Sequence, residues 1–345
     1  MSGDDLLVET VERLLVDSCT FSAIEQAEAD GWCAPVWDPL AEAGFPWVSV
    51  PETAAGSGGT FAEAMMVLRS VGAHAAPVPL AETGVLAGWL CAAAGFAVTD
   101  GPMSVVPDGR VLTLDGDRVL GAATVAWGRR AQRILAVVPT PDGPFVLSAR
   151  PDQVAVIEGM SLAGEPRDEV RITAPLSELD MAEAPPGVDP ITLYQRGALT
   201  RVVLAAGALE SMAQLTIDYT HDRRQFGKPV ASFQAVQEHL VHAAQASVRA
   251  SMAADVAVRA SAAGDGRFEV AAAKVIVDDA VAEATRAAHQ AHGAMGVTRE
   301  YPLHHLSRRL WAWRNEYGSG RSWRAWLGAE LLHGGADELF ATVTR

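Results

Sequence analysis

One interrupted helical pattern carries side chains that could bind a phosphate. The pattern at 193–219 is followed by Arg223 and Gln225, and it is stopped by Gly227. A guanidinium group beside a helix break can bind phosphate in a bidentate way, and Phe226 offers an aromatic face for a ring. The segment therefore predicts either a phosphate-binding corner or a simple helix hairpin turn with surface arginines.

A second segment, 289–302, has the sequence HQAHGAMGVTREYP and places small residues between two helical patterns. Gly293, Ala294 and Gly296 allow close approach of the backbone to a ligand, and free amides can meet a pyrophosphate. A glycine-rich helix connection is the plain alternative. Four histidines lie near this segment, but no carboxylate or cysteine completes a known ligand spacing, so no metal site is predicted. These histidines are His289, His292, His304 and His305.

Three regions of different texture must position these segments. Residues 4–95 have helical spacing broken by prolines, with helices expected at 60–73 and 79–94. Short β-branched runs separated by turn signals follow, and they predict an all-β sandwich or barrel over 100–185. The last region predicts long antiparallel helices in a four-helix bundle, with Ser232 placed to cap the second of them. These helical patterns cover 193–219, 233–263, 268–290 and 299 onward.

Composition limits the class of partner. The chain has 345 residues, 49% of them hydrophobic, and a formal net charge of -15. That charge disfavours nucleic acid and anionic membranes, so an anionic ligand needs a local cationic site. No signal peptide or transmembrane run is expected. Three cysteines without a CxxC pair predict reduced thiols and a cytoplasmic location.

Three stretches of the sequence resemble the acyl-CoA dehydrogenase family. Residues 223–237, RRQFGKPVASFQAVQ, are similar to the family signature RxQFGxPxxxFQxxQ. Residues 290–302, QAHGAMGVTREYP, are similar to the loop QxxGGxGxTxExP, and residues 40–59 resemble LxxxGxxxxxxPxxxGGxG. The resemblance implies an α+β fold with an N-terminal helical domain at 1–97, a small central β domain at 98–187 and a C-terminal four-helix bundle at 188–345.

The resemblance also implies FAD as the cofactor, held between subunits. In this family the two C-terminal segments bind the adenine and pyrophosphate half of a flavin that is seated on a neighbouring subunit. Carried over by position, the cofactor-binding residues would be Arg223, Gln225, Phe226, Gln234, Gln290, Gly293 and Ala294.

The catalytic position departs from the family. The implied reaction is α,β-dehydrogenation of an acyl-CoA, in which a carboxylate removes the α-proton and hydride passes to the flavin. Without gaps, the usual base position falls on Tyr317, and Glu316 lies one residue early, about 100° away on a helix. Glu316 is therefore a candidate base or a solvated carboxylate. The alternative base position, near 195–201, has no carboxylate.

The β region departs as well. A TEPxxGSD-like stretch is missing, and a KxWITN-like stretch is reduced to 121–128, where Trp127 is expected in the core. The half-site for the adenine end is therefore kept, while the half-site for the reactive ring is eroded.

Several functions follow as hypotheses. The first is an acyl-CoA dehydrogenase subunit of lipid metabolism, assembled as a homo- or hetero-oligomeric dimer of dimers, with electron-transfer flavoprotein as acceptor. The second is a short, non-catalytic partner that completes the FAD site of a Glu-bearing homologue in a mixed tetramer, an arrangement that resembles bacterial members acting on steroid or other bulky acyl-CoA. An assembly scaffold and a flavin oxidase of the same fold remain as alternatives.

Overall fold

The computed structural model describes residues 3–264 and 266–333. Its contacts divide the chain into two compact units, Met1–Thr200 and Arg201–Arg345, here called unit 1 and unit 2. The division into three domains that the resemblance implies stays a prediction. No helix in the described ranges has the length and apolarity that a membrane crossing requires.

Unit 1 begins with helices whose bounds follow local capping signals. The helix at 60–73 was predicted correctly within one residue: Thr60 accepts from the Glu63 amide, and the Glu63 carboxylate accepts from the Thr60 amide, which closes a capping box. The helices are α1 Gly3–Ser18, α2 Phe21–Asp30, α3 Ala34–Glu42, α4 Phe61–Ala73 and α5 Trp89–Ala94.

A π-helix at Ala81–Gly88 precedes α5, where a single regular helix was expected. Every residue of this π-helix is buried. A side chain at Gly84 would place its Cβ 1.9 Å from the Pro46 carbonyl oxygen, so the close approach requires glycine here. π-helical turns are rare in proteins, but those that occur often lie at functional sites.

The β region forms two four-stranded sheets that share one apolar core, in agreement with the sandwich or barrel predicted from the β-branched runs and turn signals. One sheet has the order β1-β4-β5-β8 and the other β2-β3-β7-β6, and only the β1–β4 pair is parallel. Buried aliphatic side chains such as Val119, Ile134 and Leu147 fill the core. The strands are β1 Met103–Val105, β2 Leu112–Asp115, β3 Arg118–Ala126, β4 Arg133–Val138, β5 Phe145–Ala149, β6 Val154–Ile157, β7 Arg167–Pro175 and β8 Asp180–Glu183.

The C-terminal helices pack closely because alanine faces alanine. Ala213, Ala243 and Ala287 form a buried cluster from three successive helices. The fourth predicted pattern is in fact two helices, separated by a turn in which Tyr317 has a φ of 51° and Gly318 a φ of 93°. The helices are α6 Pro190–Asp222, α7 Gln234–Ala262, α8 Arg267–His292, α9 Leu303–Trp313 and α10 Gly320–His333.

The predicted capping role of Ser232 is wrong. The residue before α7 is Phe233, which makes no side-chain cap. The Ser232 hydroxyl instead donates to the Pro229 carbonyl at 2.6 Å and stabilises the short 3-10 turn Val230–Ser232. A hydroxyl one position too early therefore closes the preceding turn rather than the helix.

Candidate functional site

The segment after α6 forms a tight β-hairpin. Strands β9 Arg224–Gln225 and β10 Lys228–Pro229 pair antiparallel, with Gln225 opposite Lys228. The two residues between them have positive φ, 52° at Phe226 and 80° at Gly227. Two positive φ values in a two-residue loop define a type I′ turn, for which phenylalanine is an unfavourable first residue. The positive φ at Phe226 is therefore a strained backbone conformation, and it occurs at a residue whose aromatic ring is exposed.

That ring projects into solvent. Phe226 is 91% exposed, and its only described ring partner is Phe233, edge-on at 6.1 Å between centroids. The Lys228 ammonium lies 4.3 Å from the Phe233 ring centroid. The exposed ring is therefore available for contact with a ligand or another chain.

The end of α8 supplies the facing wall. α8 ends at His292, and Gly293 adopts φ 60° and ψ -135°, a combination that only glycine adopts readily. Nothing lies within 4 Å of the place where a Cβ of Gly293 would stand, so this backbone faces open space. A Cβ on Gly296 would instead come 2.9 Å from the His292 Cβ, so glycine is needed there for packing.

These two walls enclose one cavity of about 380 Å³ within unit 2. Most of the predicted cofactor-binding residues therefore lie together, although the two segments are more than 60 residues apart in sequence. Gln234 is the exception: it is the exposed first residue of α7 and does not line the cavity. The predicted residues that line it are Arg223, Gln225, Phe226, Gln290, Gly293 and Ala294.

Arg223 is the cation of this cavity. Among the residues that the structure describes, its guanidinium has no hydrogen-bond or ion-pair partner, and the side chain is exposed. An arginine that is not already paired keeps its full donor set for a carboxylate or phosphate.

An aromatic cluster that the sequence analysis missed forms the inner wall. His292 stacks on Tyr219 at 4.4 Å and lies 5.0 Å from the Tyr301 ring. Burial lowers the pKa of His292, and its Nδ1 hydrogen-bonds to the Ala288 carbonyl at 2.8 Å. Its Nε2 is buried without a partner in the described ranges. In the sequence, the one available indication of this cluster was Tyr219, which lies at the end of the helical pattern 193–219, just before Arg223.

The predicted catalytic position is arranged differently. The Glu316 carboxylate accepts from Nε of Arg201 at 2.6 Å, and the Arg201 side chain is only 2% exposed. The Arg201 guanidinium also lies 5.4 Å from the Tyr317 ring centroid. Tyr317 is buried, and its carbonyl accepts from the Trp323 indole at 2.9 Å. Both candidate residues are thus engaged inside unit 2.

A buried lysine adds to this charge cluster. Lys274 of α8 is 2% exposed and donates to the Trp313 carbonyl at 3.0 Å. Burial lowers its pKa to about 7, an effect partly offset by the negative charge of Glu316. Arg314 pairs with Asp278 at 2.7 Å in the same cluster. Three cationic groups therefore face two carboxylates.

Trp127, in the reduced β-region motif, is buried as expected for a core residue. It has a φ of 56° and lies edge-on to Trp32 at 6.2 Å between centroids. Its ring packs in the core of unit 1.

Comparison with known proteins agrees with this architecture. Residues 192–324 match the family described as "Acyl-CoA dehydrogenase, C-terminal domain". A structure of the ChsE4-ChsE5 complex from Mycobacterium tuberculosis superposes with a TM-score of 0.86 at 23% identity, over 96% of this chain and 98% of that chain. The fold is therefore the acyl-CoA dehydrogenase fold.

Sequence relatives lead to the same family. The chain is 27% identical to the acyl-CoA dehydrogenase IpdE2 of Mycobacterium tuberculosis over 88% of this chain and 89% of that protein. It is 29% identical to FadE34 of the same organism over 83% of this chain, but spans only 40% of that relative. Residues 192–324 thus match the C-terminal domain of the acyl-CoA dehydrogenase family, and the relatives that align with most of this chain are acyl-CoA dehydrogenases.

Proposed function

We propose that this chain is a subunit of a mixed acyl-CoA dehydrogenase that completes the FAD site of a second, Glu-bearing subunit. The observation that carries the proposal is the single cavity lined by Arg223, Gln225, Gln290 and Gly293. Its residues come from the two motifs that hold the adenine and pyrophosphate half of FAD in this family. The alternative, a dehydrogenase subunit that is competent by itself, needs a base that this chain does not offer freely.

The cavity fits a dinucleotide diphosphate on physical grounds. Arg223 has no ion-pair or hydrogen-bond partner for its guanidinium in the part of the chain that the structure describes, and the backbone at Gly293 faces open space. Guanidinium and backbone amide groups are the usual ligands of a diphosphate. Phe226 and the aromatic wall at Tyr219 supply apolar surface of the kind that a purine ring requires.

The chemistry would be supplied from elsewhere in the assembly. FAD, when bound, accepts hydride from the β-carbon of an acyl-CoA. In this chain Glu316 is paired with Arg201, so its negative charge is already stabilised by a buried cation. Such a carboxylate is a poor proton acceptor, because an adjacent cation favours the ionised form. The α-proton would therefore be removed by a carboxylate of the partner subunit.

Two relatives support the assembly and the substrate class. One solved structure of the same fold is described as a ChsE4-ChsE5 complex, and another as a steroid acyl-CoA dehydrogenase, Tcur3481-Tcur3483. We propose a mixed tetramer of this kind acting on a bulky acyl-CoA in the cytoplasm, with electron-transfer flavoprotein as the electron acceptor.

Co-purification tests the proposal. The chain is expressed alone and together with a longer, Glu-bearing homologue, and bound flavin is measured by its visible absorbance. We expect co-purification with the homologue, and stoichiometric FAD with acyl-CoA oxidation only in the mixed assembly. A chain that by itself holds stoichiometric FAD and oxidises acyl-CoA contradicts the proposal.

A further inference from the structure

An arginine in unit 1 is held between two aromatic rings. The Arg196 guanidinium carbon lies 4.5 Å from the Phe61 ring centroid and 4.8 Å from the Trp89 ring centroid. Its Nε donates to the Val85 carbonyl of the π-helix at 2.7 Å. Two ring contacts and one hydrogen bond restrict the side chain, so the orientation of the planar group is largely set before any ligand arrives.

The outer edge of this guanidinium is left without a partner. Within residues 3–264 and 266–333, the only side-chain hydrogen bond of Arg196 is the one from Nε, and no carboxylate pairs with it. Nη1 and Nη2 of Arg196 are not among the buried side-chain atoms that lack a hydrogen-bond partner. Because neither makes a hydrogen bond within the described residues, both are accessible. Nη1 and Nη2 together form the fork that matches the two oxygens of a carboxylate or phosphate.

The surroundings make this unpaired charge costly. Burial lowers the pKa of Arg196 to about 10, and no acidic group offsets that effect. The group is nevertheless charged at neutral pH. A partly buried cation without a counter-ion lowers stability, and the cost is recovered when an anion binds.

Support of the π-helix does not account for all of these features. Capping the Val85 carbonyl uses one of five guanidinium N–H donors. A single donor such as a lysine or glutamine could do the same without keeping a cation between two rings. The unused fork is the part that points to a ligand.

We propose that Arg196 binds an oxyanion of the acyl-CoA ligand through its Nη1 and Nη2 edge. The oxyanion is either the 3′-phosphate of the CoA moiety or a second carboxylate on the acyl chain, because both present paired oxygens to a planar fork. Arg196 and its two aromatic neighbours belong to unit 1, whereas the residues of the dinucleotide cavity belong to unit 2. The inference rests on the acyl-CoA ligand of the proposed function, but it does not depend on the FAD half-site, because its test measures binding of CoA compounds and not of FAD.

Two matched pairs of ligands test the proposal by equilibrium binding to the full chain, in its natural assembly if it has a partner. Glutaryl-CoA against pentanoyl-CoA tests an acyl carboxylate, and CoA against 3′-dephospho-CoA tests the 3′-phosphate. We expect the wild-type protein to prefer the anionic member of one pair by about tenfold or more. Arg196→Met is expected to abolish that preference, and Arg196→Lys to keep only part of it.

A matched control separates recognition from folding. Arg130 also lies over a tryptophan, Trp32, and donates to backbone carbonyls, so Arg130→Met removes a similar side chain elsewhere in unit 1. Its ligand preferences should equal those of the wild type. The proposal is overturned if folded Arg196→Met keeps the wild-type preference in both pairs. If that variant does not fold, the wild type decides: no preference in either pair also overturns it.

Discussion

Two regions of unit 2 have kept opposite properties. Around the α6–α7 hairpin and the end of α8, here called the open region, Arg223 has no partner among residues 3–264 and 266–333, and the Gly293 backbone faces open space. Around the turn after α9, every charged group described above has a partner: Glu316 binds Arg201, Lys274 binds a carbonyl and Arg314 binds Asp278. The first arrangement suits ligand binding and the second suits stability. The contrast is the one expected from the proposed role, in which unit 2 contributes to a cofactor site while the residues at its predicted catalytic position stabilise the fold.

The largest change in stability should come from breaking the Glu316–Arg201 pair. This pair, Lys274 and the Arg314–Asp278 pair are here called the closed region. Glu316→Gln leaves the Arg201 cation buried without its partner, which we expect to lower the free energy of unfolding by about 3 kcal/mol. Turnover of the assembled, folded enzyme should be unchanged. Urea denaturation and steady-state kinetics measure the two quantities. Glu169→Gln breaks an exposed pair with Arg171 and should cost less than about 1 kcal/mol. A large loss of turnover with normal stability would make Glu316 the base.

Lys274 gives the closed region a pH dependence. Because its folded pKa of about 7 lies below the unfolded value near 10.4, the unfolded chain binds more protons between these values. Its contribution to the free energy of unfolding should therefore rise by about 1.4 kcal/mol per pH unit above pH 7 and be flat below it. Lys274→Met should remove this slope. The difference between wild type and variant, from urea denaturation at pH 7, 8 and 9, isolates it; equal slopes contradict the prediction.

The open region should respond in cofactor binding rather than in stability. Arg223→Met removes the unpaired cation, and we expect FAD affinity of the mixed assembly to fall about 10- to 100-fold. Arg224→Met is the matched control, since Arg224 is the adjacent exposed arginine and does not line the cavity. Fluorescence titration of the apo-assembly with FAD gives both affinities. Equal losses in the two variants would point to overall charge rather than to a specific contact.

The smallest effect concerns the hairpin turn. Asparagine tolerates positive φ better than phenylalanine, so Phe226→Asn should raise the free energy of unfolding by about 0.5 to 1 kcal/mol. The same change removes the exposed ring and should weaken FAD binding. A more stable variant with weaker FAD binding is the expected pair of results, from thermal unfolding and FAD titration. If the affinity of Phe226→Asn for FAD equals that of the wild type, the Phe226 ring does not contact the cofactor.

The sequence was sufficient for features that depend on local pattern or on spacing. Helical periodicity located α7 and α8 within a residue or two, and short β-branched runs separated by turn signals located the β region. The motif at 223–229 indicated the break between α6 and α7, because glycine and proline end a helix, but the β-hairpin inside that break was not predicted. The cavity residues were found through the resemblance, which links segments that periodicity cannot bring together.

The features that were missed depend on contacts between distant residues. Glu316 meets Arg201 across 115 positions, and no local pattern specifies that pair. The π-helix at 81–88 arises where Gly84 meets the Pro46 backbone, which only the packed structure determines. Gln234 is the first residue of α7 and does not line the cavity, whereas Phe233 and Val236 on either side of it do. Which of these side chains faces the cavity depends on the orientation of the first helical turn, which the sequence alone does not specify.

The exposed hairpin also has a consequence for proteolysis. Trypsin cleaves after arginine, and Arg223 and Arg224 stand together in an exposed stretch with only two short paired strands to hold it. Lys228 is followed by Pro229, a bond that trypsin does not cut. Digestion of the isolated chain is therefore expected to cleave between α6 and α7. A second protomer seated over the tip of the hairpin would shield that bond, so resistance to nicking reports assembly without any cofactor or substrate.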